Sequence, residues 1–156
     1  RSRLTGFSGL ALAMLVLQLF YGALLAGLRA GTAAGGGWFN WGAWPLMQGS
    51  FFPAGIDWSH GGAHAFLSDP FLVHFVHRWW AWAVVAVLVV MGRKLRKAQA
   101  RSASVAIHSA FGTQILLGIA TVMSGVAIWI AVAHQLVGAL LVAATTWGAH
   151  ALGQKR

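Results

Sequence analysis

The chain has 156 residues, 58% hydrophobic and only 8% charged, whereas soluble domains carry about a quarter charged residues; an ordinary soluble fold is excluded and an integral membrane protein is predicted. Eleven Lys and Arg outweigh two acids, Asp57 and Asp69, for a net charge of +9. The cations gather at the ends of apolar runs and form no solvated basic face, so they are read as membrane orientation signals and not as a nucleic-acid surface. The chain has no Cys, which excludes disulfides and thiolate metal sites. It also has no Glu.

A membrane-crossing helix needs about 20 apolar residues. The first candidate span is 7–28, free of charge. The chain starts at Arg1 without a Met, and this run has no small-residue cleavage site. It is read as the first span of a piece of a longer protein, not as a signal peptide. The second span is 71–92. From Ser102 to Gln154 there is no Lys, Arg, Asp or Glu, long enough for two further spans, 103–123 and 126–151, divided at Met123-Ser124-Gly125. The predicted fold class is all-α, an integral membrane four-helix bundle formed as a single unit over 1–156.

Orientation follows from Lys and Arg. Arg1 and Arg3, then Arg93, Lys94, Arg96, Lys97 and Arg101, then Lys155 and Arg156 all fall on one side of a four-span topology; Arg29 and both aspartates fall on the other. Both termini are therefore expected in the cytoplasm and the 29–70 loop outside. Structureless loops beyond about 12–15 residues are usually functional or disordered. This one interleaves Trp38, Trp41, Trp44, Phe51, Phe52 and Trp58 with Gly35-Gly36-Gly37. It reads as a cover over the bundle mouth or, alternatively, as a loose aromatic anchor at the interface.

A short repeat crosses from inside to outside twice: Gln18-Leu19-Phe20-Tyr21-Gly22 and Gln114-Ile115-Leu116-Leu117-Gly118. Each is followed by a span with a histidine near its outer end, His77 and His134. Two parallel hairpins of this kind imply a pseudo-twofold axis along the membrane normal, although Gly and polar residues also serve helix packing. By helical rise both histidines lie roughly 9–12 Å below the outer boundary. Imidazole is a good axial ligand for haem iron, and bundle cores build cofactor sites from facing helices. Gly138 and Ala81, one turn beyond the two histidines, leave room for a flat ring. Arg78, and as a second candidate Arg29, are placed for a haem propionate; the plain alternative is that Arg78 snorkels to the interface. His74, three residues before His77, is a spare ligand, a propionate contact or a proton relay. His108 and His150 lie near the cytoplasmic side, as interfacial residues or as a second haem site. His60 and His64 have the i, i+4 spacing of a zinc pair but no third ligand nearby.

These residues resemble a known family. "YGALLAGLRAG" (21–31), "WPLMQGSFFP" (44–53), "VHFVHR" (73–78), "QILLGIAT" (114–121) and "HQLVGALL" (134–141) resemble, in order, motifs of the C-terminal half of haem A synthase in its proteobacterial and mitochondrial form. The resemblance implies eight spans in two similar halves, with His77 and His134 as axial ligands of a haem b cofactor; His74, Arg78 and Arg29 are cofactor-binding candidates from their positions alone. It implies oxidation of the C8 methyl of haem o to a formyl group, giving haem a for terminal oxidases. No catalytic residue is assigned in this half. Expected partners are haem o, a second four-helix half or a homo-oligomer, an electron donor of unknown identity, and haem O synthase; no nucleic acid is expected. The expected location is the bacterial inner membrane. The chain departs from the family pattern before the second span, where Leu67-Ser68-Asp69 replaces Phe-Glu-Asn, and in lacking any Glu. Three rival readings stand beside this one: a standalone bis-histidine cytochrome b that carries electrons, a half-size synthase that dimerises, and a purely structural membrane protein.

Overall fold

The computed structural model describes residues 5–154; the orientation signals Arg1, Arg3, Lys155 and Arg156 lie outside them. Four long helices form: α1 (Gly6–Gly27), α3 (Pro70–Lys97), α4 (Arg101–Met123) and α5 (Ile128–Gln154), with a short α2 (Gly62–Ser68) in the long connection. All four long helices are apolar enough to cross a membrane, and no strand is formed among the described residues. The chain is a multi-pass membrane protein. Its outward faces are apolar, as lipid requires: Leu116 is 70% exposed and Trp129 82%.

The helix ends have local causes. Thr5 caps α1 by accepting from the Ser8 N–H (3.1 Å). Asp69 caps α3: one carboxylate oxygen accepts from the Leu72 N–H (2.8 Å), the other from the Asp57 N–H (3.0 Å). Pro70 then occupies the first helical turn, where its missing N–H is tolerated. The Asn of the family pattern and the Asp found here are equivalent caps. The second span was expected to stop at residue 92, but α3 continues to Lys97. Twenty-eight residues rise about 42 Å, beyond a hydrocarbon core of about 30 Å. The last turn, with Lys94, Arg96 and Lys97, therefore extends past the apolar layer, and its cations suit a helix C-terminus. Between α4 and α5 the expected break at residues 123–125 is a turn with Gly125 and Val126 at positive φ, held by the Ser124 hydroxyl accepting from the Ala127 N–H (3.1 Å).

α1 packs on α3 and α4 on α5; the two hairpins close into a ring in the order α1, α3, α4, α5. The first pair is antiparallel: Gln18 meets His77, Met14 meets Trp80, and Phe7 meets Lys94. The core is split. At the basic end Leu15, Val84, Leu88, Met91, Leu95, Ile107 and Leu141 form one apolar cluster. At the loop end Ala34, Ala43, Met47 and Val122 form another, with Phe71 and Phe75 against it. Gln18, His77, Gln114 and His134 belong to neither cluster; they form a polar layer within the bundle.

The 28–69 connection is an ordered cover. A tight reversal pairs Met47 with Ser50, and Gly49 N–H donates to Gly42 O (3.0 Å). Gly37 N–H donates to Met123 O (2.9 Å), which fixes the glycine run over the α4–α5 turn. Phe51 and Phe52 pack edge-on against Phe75, and Phe51 also meets Trp79. Trp38, Trp41 and Trp58 remain exposed. Phe51 and Phe52 touch α3 yet stay as exposed as Trp38 and Trp58.

Candidate functional site

His77 lies seven residues after Pro70, the first residue of α3, and His134 six after Ile128, the first of α5. Both are thus about 9–11 Å from their helix starts. The predicted pair lies at matching distances from the loop-end starts of α3 and α5.

Each imidazole rests in the same cradle. The Gln18 amide NH2 donates to the His77 carbonyl (3.0 Å) and faces His77 Nδ1 (3.1 Å). One turn along α1, a Cβ added to Gly22 would come within 3.2 Å of His77 Cε1. On the other side the Gln114 amide NH2 lies 3.2 Å from His134 Nε2, and a Cβ on Gly118 would come within 3.1 Å of His134 Cε1. Gln and Gly, four apart on one helix, hold a His on the next, twice. The sequence repeat carried this signal, yet its glutamines read equally as packing residues because nothing in the repeat says which helix they face.

Gly138 differs from expectation. Its missing side chain makes room for Gln114, whose Nε2 would lie 3.2 Å from an added Cβ; that space is filled by protein.

The layer is not self-sufficient. Gln18 Oε1, Gln114 Oε1, His134 Nδ1 and Trp79 Nε1 are buried without hydrogen-bond partners. Buried polar groups are normally paired, and each orphan costs about 1–3 kcal/mol. Three of the four sit in the histidine layer. Two imidazoles from different hairpins, with orphaned polar atoms around them, are a donor set that would suit a metal porphyrin.

His74 and Arg78 do something else. His74 is 3% exposed. Its Nδ1–H donates to Ala30 O (2.9 Å), and its Nε2 accepts from Arg78 Nη2 (3.3 Å). Arginine is always a donor, so this contact sets the tautomer, and both ring nitrogens of His74 are occupied. Arg78 Nη1 donates to Leu46 O (2.8 Å) and Ala43 O (3.2 Å), with Pro45 O at 3.4 Å. The "WPLMQG" reversal is therefore fastened to α3 beside the histidine layer through one guanidinium. Arg29, at positive φ between α1 and the 3-10 turn Ala30–Thr32, is exposed and is not gathered into this network.

The remaining histidines are separate. His108 Nδ1–H donates to Ser104 O (2.7 Å), and its ring fills the space over Gly92. His150 is exposed, with Nε2 2.9 Å from Gln154 Nε2. The His60 and His64 rings lie 5.1 Å apart on the loop surface. Nearby Asp57 is held below its ordinary pKa by hydrogen bonds from the Ser59 hydroxyl and N–H. Among the described residues no three His, Cys, Asp or Glu are grouped to hold a metal ion.

The family model COX15-CtaA, described as cytochrome oxidase assembly protein, matches residues 1–146. The chain is 76% identical over its whole length to a protein named heme A synthase from Novosphingobium aromaticivorans, covering 44% of that protein. It is 51% identical over 99% of its length to one from Erythrobacter litoralis and 46% identical over 99% to one from Sphingopyxis alaskensis, covering 43% and 41% of them. The chain thus spans less than half the length of the curated relatives it matches. No solved structure matches it.

Proposed function

The chain belongs to the COX15-CtaA cytochrome oxidase assembly family, and from that premise we propose that it is the haem-b-binding half of a haem A synthase of the bacterial inner membrane. The observation that carries this reading is the pair His77 and His134, each on a Gln–Gly cradle, in a polar layer with unsatisfied atoms. His77 and His134 hold the iron. Gln18 and Gln114 lie behind them. Trp79 Nε1, next to Arg78 in sequence, is a further buried donor without a partner. A haem b at this position supplies reversible one-electron transfer. The loop reversal, fastened by Arg78, keeps water from the layer, and the apolar cluster from Leu15 to Leu141 closes it from the basic end.

The full enzyme is proposed to oxidise the C8 methyl of haem o to a formyl group, giving haem a for terminal oxidases. More than half of each relative lies outside the match, and that remainder is proposed to hold the substrate site; this half alone makes no haem a. An electron donor, haem O synthase and a second half or second copy are the partners this reading implies.

The test is spectroscopic. The purified haem-loaded protein is expected to show a low-spin haem b spectrum. Replacing His77 or His134 by Ala removes it or converts it to high spin. A low-spin spectrum unchanged in both variants overturns the assignment.

A further inference from the structure

The two glutamines carry more than packing. An iron-bound imidazole gives one nitrogen's lone pair to the metal and keeps its proton on the other, and that N–H needs an acceptor. Here each glutamine turns its NH2 toward the imidazole, a donor facing a ring that must itself donate once ligated. The acceptors sit unused on the same two amides: Gln18 Oε1 and Gln114 Oε1 are both buried and unpartnered, and so is His134 Nδ1. A half-turn of each amide exchanges nitrogen for oxygen at nearly the same position. It gives the imidazole N–H an acceptor and each orphaned oxygen a donor, and moves the NH2 into the place the oxygen leaves. Gly22 and Gly118 leave just the room that each ring occupies, since an added Cβ would come within 3.2 Å and 3.1 Å of its Cε1.

We propose that Gln18 and Gln114 are matched positioning residues. Each turns its amide oxygen to accept the N–H of a ligated imidazole, and so fixes ring tautomer, ring orientation and donor strength at the iron. This rests on the haem reading above. Accepting that proton's hydrogen bond makes the imidazole a stronger donor, which favours the ferric state and lowers the midpoint potential. The two sides are not equal. Gln18 must release its 3.0 Å bond to the His77 carbonyl to turn, whereas Gln114 has only the imidazole to release.

The experiment uses the haem-loaded full-length protein with Gln18→Met, Gln114→Met and the double variant. Methionine keeps the chain length and removes the acceptor. The low-spin spectrum is expected to persist, with haem affinity about 10-fold lower. The midpoint potential rises in each single variant and further in the double, and the largest EPR g value moves as the rings lose their fixed orientation. Potentials and g values equal to wild type, with haem bound, overturn the proposal. If a Met variant sheds haem, Gln→Glu at that position decides: restored haem with a potential below wild type supports the acceptor role, and no restoration overturns it. A wild-type protein without a bis-histidine haem defeats the haem reading itself and is distinguishable from either result.

Discussion

The two hairpins place the same three residue types in the same relation, by different connections. In α1–α3 the partners are joined through residues 28–69, with a short helix and a reversal between them; in α4–α5 they are joined by residues 124–127. Yet in each a glutamine amide and a glycine four residues on face one histidine, although Gln18 faces His77 Nδ1 and the His77 carbonyl whereas Gln114 faces His134 Nε2 alone. The cradle is therefore a property of the packed helix pair and is indifferent to how the pair is connected. What differs is the surroundings of the histidine. Around His77 stand His74 and Arg78, which bind the loop; at the corresponding offsets from His134 stand Ala131 and Gln135, the latter exposed. One hairpin carries the device alone, and the other carries the device plus the latch of its cover.

The strongest way to break this equivalence is to fill the cradles. Gly22→Leu and Gly118→Leu each push a side chain into the imidazole, and overpacking of this kind costs about 1–3 kcal/mol. Equal loss of the low-spin band in both variants, read by absorbance of the purified protein, is the expected result. Loss in one alone would mean that the hairpins are not functionally equivalent.

The latch is a smaller effect and should be confined to one hairpin. Arg78→Leu removes donors to Ala43, Leu46 and His74 and is expected to cost about 2 kcal/mol, the range for hydrogen bonds to a charged group. Faster proteolysis or hydrogen exchange across residues 40–50, with the low-spin band retained, is the outcome expected. Haem loss with unchanged loop protection would instead place Arg78 on a propionate, as its sequence position suggests. Gln135→Leu, at the matching offset on α5, is the control and leaves the loop unchanged.

The smallest effect is expected at the third Gln–His pair. His150 and Gln154 are close (2.9 Å) and share the last turn of α5 at the basic end, away from the His77 and His134 layer. His150→Ala should leave the haem spectrum unaltered and stability within about 0.5 kcal/mol. A spectral change there would reinstate the basic-end histidines as ligands.

Much of this was legible before any coordinates. Four spans followed from apolar length and the absence of charge, because lipid leaves no other way to satisfy a backbone. The histidine pair followed from counting depth along helices with a constant rise. The end of α3 was less legible: hydropathy stops at the basic cluster that opens with Arg93, while the helix runs on because its basic last turn projects beyond the apolar layer. The cap at Asp69 and the short α2 were missed for the same kind of reason, since both depend on the loop folding back rather than on any run of residues.

By itself, then, the amino-acid order determined the membrane class, the number and approximate limits of the helices, and the depth of His77 and His134, all of which depend only on composition and local period. Only the tertiary structure decided who faces whom. It turned the glutamines of a faint repeat toward the histidines and filled the space over Gly138 with Gln114. It bound both nitrogens of His74 and directed Arg78 to loop carbonyls. Those outcomes depend on the rotation of each helix about its axis, which is set by packing against neighbours far away in sequence and leaves no local period to read.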